Sequence, residues 1–169
     1  MSLLMSMRTL FEWLQDQPSS TAIRESVVFY PVLLTSHVIS MCLFAGLIIM
    51  MDLRLAGIGN LRTPFSQVQK RLFPWQMLGM TTSTITGLLL FYGQPMRFYA
   101  NIFFWIKSVM MVLAGVNALA FHWSTYESVA EWDSNAVTPT GARLAGVLSL
   151  ALWASVIVAG RMIAYNWFN

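Results

Sequence analysis

The stretch Val27–Met51, VVFYPVLLTSHVISMCLFAGLIIMM, carries no charged residue from end to end. A helix needs about 20 mostly apolar residues to cross roughly 30 Å of hydrocarbon. This run is long enough to cross with some tilt. Near its centre sits His37. At about 1.5 Å of rise per residue, His37 lies roughly 15 Å below the Val27 end, close to the midplane. A titratable group at that depth is costly and marks a functional candidate.

The whole chain has the same character. Of its 169 residues 57% are hydrophobic and only 10% charged, whereas soluble domains carry about 25% charged residues. A polytopic membrane protein of one domain is expected. The lone Cys42 lies inside the first span, so neither a disulfide framework nor a thiolate metal cluster is available; it reads as a small packing residue. The net charge of +3 is too diffuse to suggest nucleic acid, and the basic residues read as topology signals.

Residues 1–18 form the first expected unit. Leu4, Met7, Leu10, Phe11 and Leu14 recur at helical spacing, with Arg8, Glu12 and Asp16 elsewhere on the wheel. This pattern predicts an amphipathic helix in the membrane interface, anchored by Trp13. Glu12 and Asp16 interrupt any signal-peptide core. Gln17-Pro18-Ser19-Ser20 breaks that helix, and Ser19 or Ser20 is expected to cap the next one. Residues 19–169 then form the second unit, a four-helix membrane bundle.

Its spans are expected at about 27–51, 73–92, 101–122 and 143–167. Pro31 should kink the first, a turn or more inside it. Gly57, Gly59 and Asn60 make a flexible connection, and Thr63-Pro64 reads as an N-cap and first helical position. Phe65, Val68 and Leu72 give a surface helix leading into the second span. That span holds Thr81, Thr82, Ser83, Thr84 and Thr86, whose hydroxyls can bond to their own helix carbonyls. Gly79 and Gly87 favour close helix contacts there, and Ala151, Ser155 and Ala159 do so on the fourth. Residues 124–140 read as a polar, acidic loop.

Four spans put both termini on one side. Arg54, Arg62, Lys70, Arg71 and Arg143 gather on the other, against Arg8, Arg24 and Arg97. Five against three places both termini in the periplasm under the positive-inside rule.

The strings TAIRES, SHVISMCLFAG, MDLRLAG, TGLLLF, NIFFWIK, NALAFH and AGRMIAY, in this order, resemble a family of short bacterial four-span membrane proteins of unknown function. The resemblance covers nearly the whole chain and implies a bacterial inner membrane and four helices. It implies no activity. That family typically has an acidic residue two or three positions before the histidine of the first span. This chain has Thr35 and Leu34 there.

Function must therefore come from the polar residues. By the same depth arithmetic Lys107 and Arg161 each lie roughly 9 Å below the outer boundary, with His37 roughly 6 Å deeper. Tyr165 shares a face with Arg161. No acid lies in these spans at that level, and buried cations need a partner or water. His37, Lys107, Arg161 and Tyr165 form the candidate cofactor site. Haem b fits, with His37 as axial ligand and its propionates on the two cations. A quinone, hydrogen-bonded by His37 and Tyr165, is the alternative. Snorkelling of the two long cations to the interface is the plain structural reading. His122 lies roughly 20 Å from the Lys107 level and cannot share a haem with His37 in one chain. Asp52, Arg54, Gln76, His122 and Arg143 form a second polar group at the inner end, read as a helix-tying network.

The expected function is a redox role in membrane electron transfer, as a non-enzymatic membrane component. The competing class is an accessory or assembly subunit of a membrane complex. Expected partners are lipids and other membrane subunits or further copies of the chain.

Overall fold

The structure, a computed structural model, describes residues 2–58, 63–126, 129–133 and 138–165. Gly59, Asn60, Arg62, Glu127 and Trp167 lie outside the described residues, as do the side chains of Leu4 and Glu131. The described residues form helices and no strand. In order they are α1 Ser2–Gln15, α2 Pro18–Glu25, α3 Phe29–Leu55, α4 Phe65–Gly93, α5 Pro95–Tyr99, α6 Ile102–Phe121, α7 Val129–Trp132 and α8 Thr140–Met162. One π turn, His122–Tyr126, follows α6.

Three of these elements are long and apolar enough to cross a membrane: α3, α6 with its extension to Ser124, and α8. The 29-residue α4 is longer than any of them, but Lys70, Arg71 and its run of hydroxyls make it less apolar.

Local chemistry sets the boundaries. The Ser26 hydroxyl accepts from the Phe29 amide at 2.9 Å and so caps α3. α3 begins at Phe29, so Pro31, expected a turn or more inside the span, falls in the first helical turn, where a missing N–H costs nothing. At the other end Gly57 adopts φ +80°. The Ile58 amide reaches back to the Leu53 carbonyl at 3.0 Å, and the Gly57 amide to Arg54 at 3.2 Å. These paired bonds satisfy the last free carbonyls of the helix.

Proline rather than serine opens α2. Pro18 takes the first position, and Ser20, fully buried, donates to the Tyr92 carbonyl at 2.8 Å. The serines expected to cap α2 instead tie it to the end of α4. α4 runs unbroken from Phe65 through Pro74, so the expected surface helix and second span are one element, preceded by Pro64 as cap residue. The Asn101 side chain accepts from the Phe103 amide at 3.0 Å and starts α6. Its amide nitrogen donates to the Ile163 carbonyl at 3.2 Å, fastening the start of α6 to the end of α8.

α3 packs along both α4 and α8, and α8 packs along α6. Small residues set the spacing. A Cβ on Gly79 would meet Phe44 at 3.1 Å, and one on Gly146 would meet Leu55 Cβ and the Asp52 carbonyl oxygen at 2.8 Å. The buried face of α8 runs through Ala142, Gly146, Leu152, Val156 and Ala159. Ala151 and Ser155 are exposed, and Ser155 spends its hydroxyl on the Ala151 carbonyl at 2.9 Å. The expected small-residue contact centred on Ser155 is therefore displaced to Gly146.

Aromatic rings close both ends. Phe91 stacks on Phe104 at 5.5 Å where α4 meets α6 near Asn101. Phe11 of α1 lies 5.5 Å from Phe91 and 5.4 Å from Tyr99, seating the amphipathic helix on this end. At the opposite end Leu55, Phe65, Trp132 and Ala142 form a buried cluster. The segment read as an acidic loop supplies Trp132 to that cluster. It also supplies Asp133, whose carboxylate accepts from the Ser66 amide at 2.9 Å and from the Ser66 hydroxyl. A carboxylate on free N–H groups at the start of α4 is favourable.

Candidate functional site

His37 sits where α3 meets α4. Its Nδ1 lies 3.1 Å from the Ser83 carbonyl oxygen and 3.0 Å from Thr86 Oγ1. The Thr86 hydroxyl donates its own proton to the Thr82 carbonyl at 2.7 Å. Both neighbours of Nδ1 are thus acceptors, and Nδ1 carries the proton in the neutral ring. The tautomer is fixed by these partners, which leaves a lone pair on Nε2. Gly87 makes room for the ring: a Cβ there would stand 3.0 Å from Cε1.

Lys107, on the second turn of α6, is within electrostatic reach of His37. Its Nζ would lie 3.8 Å from a Cβ on Gly160, so the ammonium rests against α8 one residue from Arg161. It is half-buried, and no hydrogen bond or ion pair reaches it among the described residues. Arg161 differs. α8 ends at Met162, so Arg161 stands exposed in the last turn instead of six residues inside the helix. Its guanidinium donates to the Tyr165 hydroxyl at 2.6 Å and lies 4.8 Å from that ring's centre. The structure thus pairs Arg161 with Tyr165 and sets the Lys107 ammonium against α8 next to them, while His37 is bonded to α4; no hydrogen bond joins Lys107 to His37 among the described residues.

The second polar group divides. Arg54, 1% exposed, donates to the Thr63 carbonyl at 3.2 Å and to Thr138 Oγ1 at 3.3 Å. It clamps the connections on either side of the bundle end and forms no ion pair with Asp52. Gln76 donates to Met51 Sδ at 2.9 Å. His122 is exposed and stacks on Tyr126 at 5.1 Å. Arg143 is exposed on α8. Asp52 is 6% exposed. Ser149 is its hydrogen-bonding neighbour, and its Oδ2 has no partner among the described residues.

α4 and α6 lie apart between their aromatic ends, and a cavity of about 700 Å³ fills the gap. Asp52, Gln69, Gln76 and Ser149 line its polar end, and Ser83 and Met111 its other end, next to the His37 level. His37 itself does not line it. Among the described residues no group of three His, Cys, Asp or Glu side chains could hold a metal ion.

A family model matches residues 10–166, from within α1 to just beyond Tyr165. The chain belongs to this family of unknown function, DUF6644. The match takes in every helix from α2 to α8 and all the polar residues above. No curated protein and no solved structure matches the chain.

Four residues of these sites escape a reading by spacing alone. Ser83 and Thr86 read as packing hydroxyls but set the His37 tautomer. Ser149 is one of several small residues on α8. Gln69 stands seven residues before Gln76, two turns away on the same face, and that spacing could have joined it to the inner group.

Proposed function

We propose that this is a four-span protein of a bacterial inner membrane that docks a quinone for membrane electron transfer. The observation that carries the reading is His37, held through Nδ1 on the Ser83 carbonyl with Nε2 left as an acceptor, together with a half-buried Lys107 ammonium that has no hydrogen-bond partner among the described residues. An Nε2 lone pair accepts a hydrogen bond and a partnerless ammonium donates one. Together they match the oxygen of a quinone in either protonation state. The charge of Lys107 also favours the negative charge that a quinone oxygen gains on reduction, and a low-dielectric setting strengthens that effect. Arg161 and Tyr165 stand beside it at the membrane surface, where they meet the ligand's polar edge. The electrons come from partner subunits, and the protein's part is non-enzymatic.

α4 is the fourth span in this reading. Two of its hydroxyls bond to their own helix, Thr84 on Met80 at 2.8 Å and Thr86 on Thr82, as suits a polar helix in lipid. The Asp52 end then faces the cytoplasm and both termini the periplasm.

Haem b is the second reading, and one observation favours it. A histidine held by Nδ1–H on a carbonyl, with Nε2 bare, is the arrangement in which imidazole ligates metals. Protein purified from its native membrane separates the two. Lipid extraction should release a quinone in stoichiometric amount, and the absorption spectrum should lack a Soret band. A Soret band lost in His37→Ala would transfer the site to haem. Neither ligand would leave the accessory-subunit role.

A further inference from the structure

We infer that the cavity between α4 and α6 is a second binding site, one that takes a lipophilic cation from the bilayer. It goes beyond the quinone reading and rests on Asp52 and Gln69 instead of His37 and Lys107.

The walls define the ligand's body. The cavity is of ligand size, since small-molecule sites span about 300–1,000 Å³. Met77, Met80 and Thr84 of α4 face Met111, Gly115 and Ala118 of α6 across it. Unbranched methionine adapts to varied apolar shapes. Nothing lies within 4 Å of a Cβ placed on Gly115, so the α6 wall stands open there. Phe65 meets Phe121 at 6.1 Å below the gap, and Phe91 meets Phe104 at 5.5 Å above it. The opening between these two closed ends is lateral, toward the position lipid occupies. An apolar molecule enters from the membrane, not from water.

The floor defines the charge. Asp52 is the one acid among the lining residues, and no lysine or arginine lines the cavity. Its carboxylate is buried with Oδ2 unpartnered, and Gln69 Oε1, on the facing helix, is a second buried acceptor without a partner among the described residues. Two lone acceptors around one apolar space call for a donor or a positive charge. Buried carboxylates without a cation are strongly disfavoured. Phe44, Phe73, Phe121 and Trp153, one from each long helix, also line the cavity, and aromatic rings attract a cation further. The complementary ligand is therefore an apolar body bearing one positive charge.

The test uses the purified full-length protein in lipid nanodiscs, with tetraphenylphosphonium and tetraphenylborate as probes of matched shape and opposite charge. Trp153 quenching or calorimetry reads binding. The phosphonium should bind saturably and the borate at least about ten-fold more weakly. Asp52→Asn should weaken the phosphonium about ten-fold, whereas Asp16→Asn, which neutralises an exposed acid just after α1, should not. Gly115→Leu, built into open space, should fold and should exclude the probe. Equal binding of both probes would overturn the inference without any variant. So would phosphonium binding that Asp52→Asn and Gly115→Leu both leave intact. Binding of a quinone in place of the cation, lost in Gly115→Leu, would assign this cavity to the quinone and overturn the inference as well.

Discussion

Gly146 packs so tightly on α3 that a Cβ there would stand 2.8 Å from Leu55 Cβ. The other atom at 2.8 Å is the Asp52 carbonyl oxygen, which already accepts from the Ala56 amide at 2.7 Å. Backbone engaged in a helix terminus cannot give way cheaply. Gly146→Ala should therefore cost about 1–3 kcal/mol by overpacking. Gly115→Ala, with open space around it, should be tolerated. Thermal unfolding in detergent checks the pair, and equal midpoints would mean that α3 and α8 separate readily.

Arg54 fastens two connections at once. It bonds the Thr63 carbonyl and the Thr138 hydroxyl from a fully enclosed position. Hydrogen bonds from a charged group contribute about 1.5–3 kcal/mol each, and their buried acceptors are left bare when it goes. Arg54→Met should lower the unfolding midpoint clearly, while Arg143→Met, at an exposed position, should not. The comparison matters because the positive-inside reading treats both arginines alike as topology signals.

Sequence periodicity reaches as far as the long helices and the amphipathic leader, because each rests on a run of many apolar residues. Three of the expected spans fall on helices long and apolar enough to cross a membrane, α3, α6 and α8, and the remaining one lies inside the longer, more polar α4. Short-range events were less visible. Pro18 opens α2 and leaves Ser20 free to bond Tyr92, a partner 72 residues away that no local pattern announces. Asp133 reads as one acid in a polar loop, yet it lies on the first amides of α4. The start of α6 is legible because Asn101 is a well-marked cap, which fixes Lys107 on the second turn of that helix. Depth arithmetic misplaced Arg161, since the end of α8 carries no comparable signal and the count began from Trp167. Asp52 and Gln69 share a cavity only because α4 and α6 stand apart, a tertiary fact without a sequence mark.

Topology offers an independent test. If α4 crosses the membrane, the Gln94–Asn101 connection and the Gly57–Thr63 connection lie on opposite sides. Single cysteines placed at Gln94 and at Ile58, in a Cys42→Ser background, should react with a membrane-impermeant maleimide from the periplasm at Gln94 alone. Alkaline phosphatase fused after Asn169 should be active. Labelling at both positions from one side would show that α4 does not span, and activity of a cytoplasmic reporter alone at Asn169 would reverse the orientation.

The Lys107 site carries the sharpest prediction. A half-buried ammonium without a partner is a net cost to the fold, repaid only when something anionic or hydrogen-bonding fills its surroundings. Lys107→Met removes that cost and keeps the length of the side chain. It should leave unfolding in ligand-free detergent unchanged or slightly raised, and it should abolish co-purification of the quinone. Arg161→Met should do less, because the guanidinium is exposed and already engaged with Tyr165. His37→Ala should match Lys107→Met in ligand loss, and His122→Ala, at the far end of α6, should retain the ligand. Thr86→Val tests the link between them. It removes one acceptor from Nδ1 and leaves the Ser83 carbonyl, so ligand affinity should fall only several-fold. A Lys107→Met protein that keeps its full ligand content would show the ammonium to be snorkelling to the interface, and His37 to be a packing residue between α3 and α4.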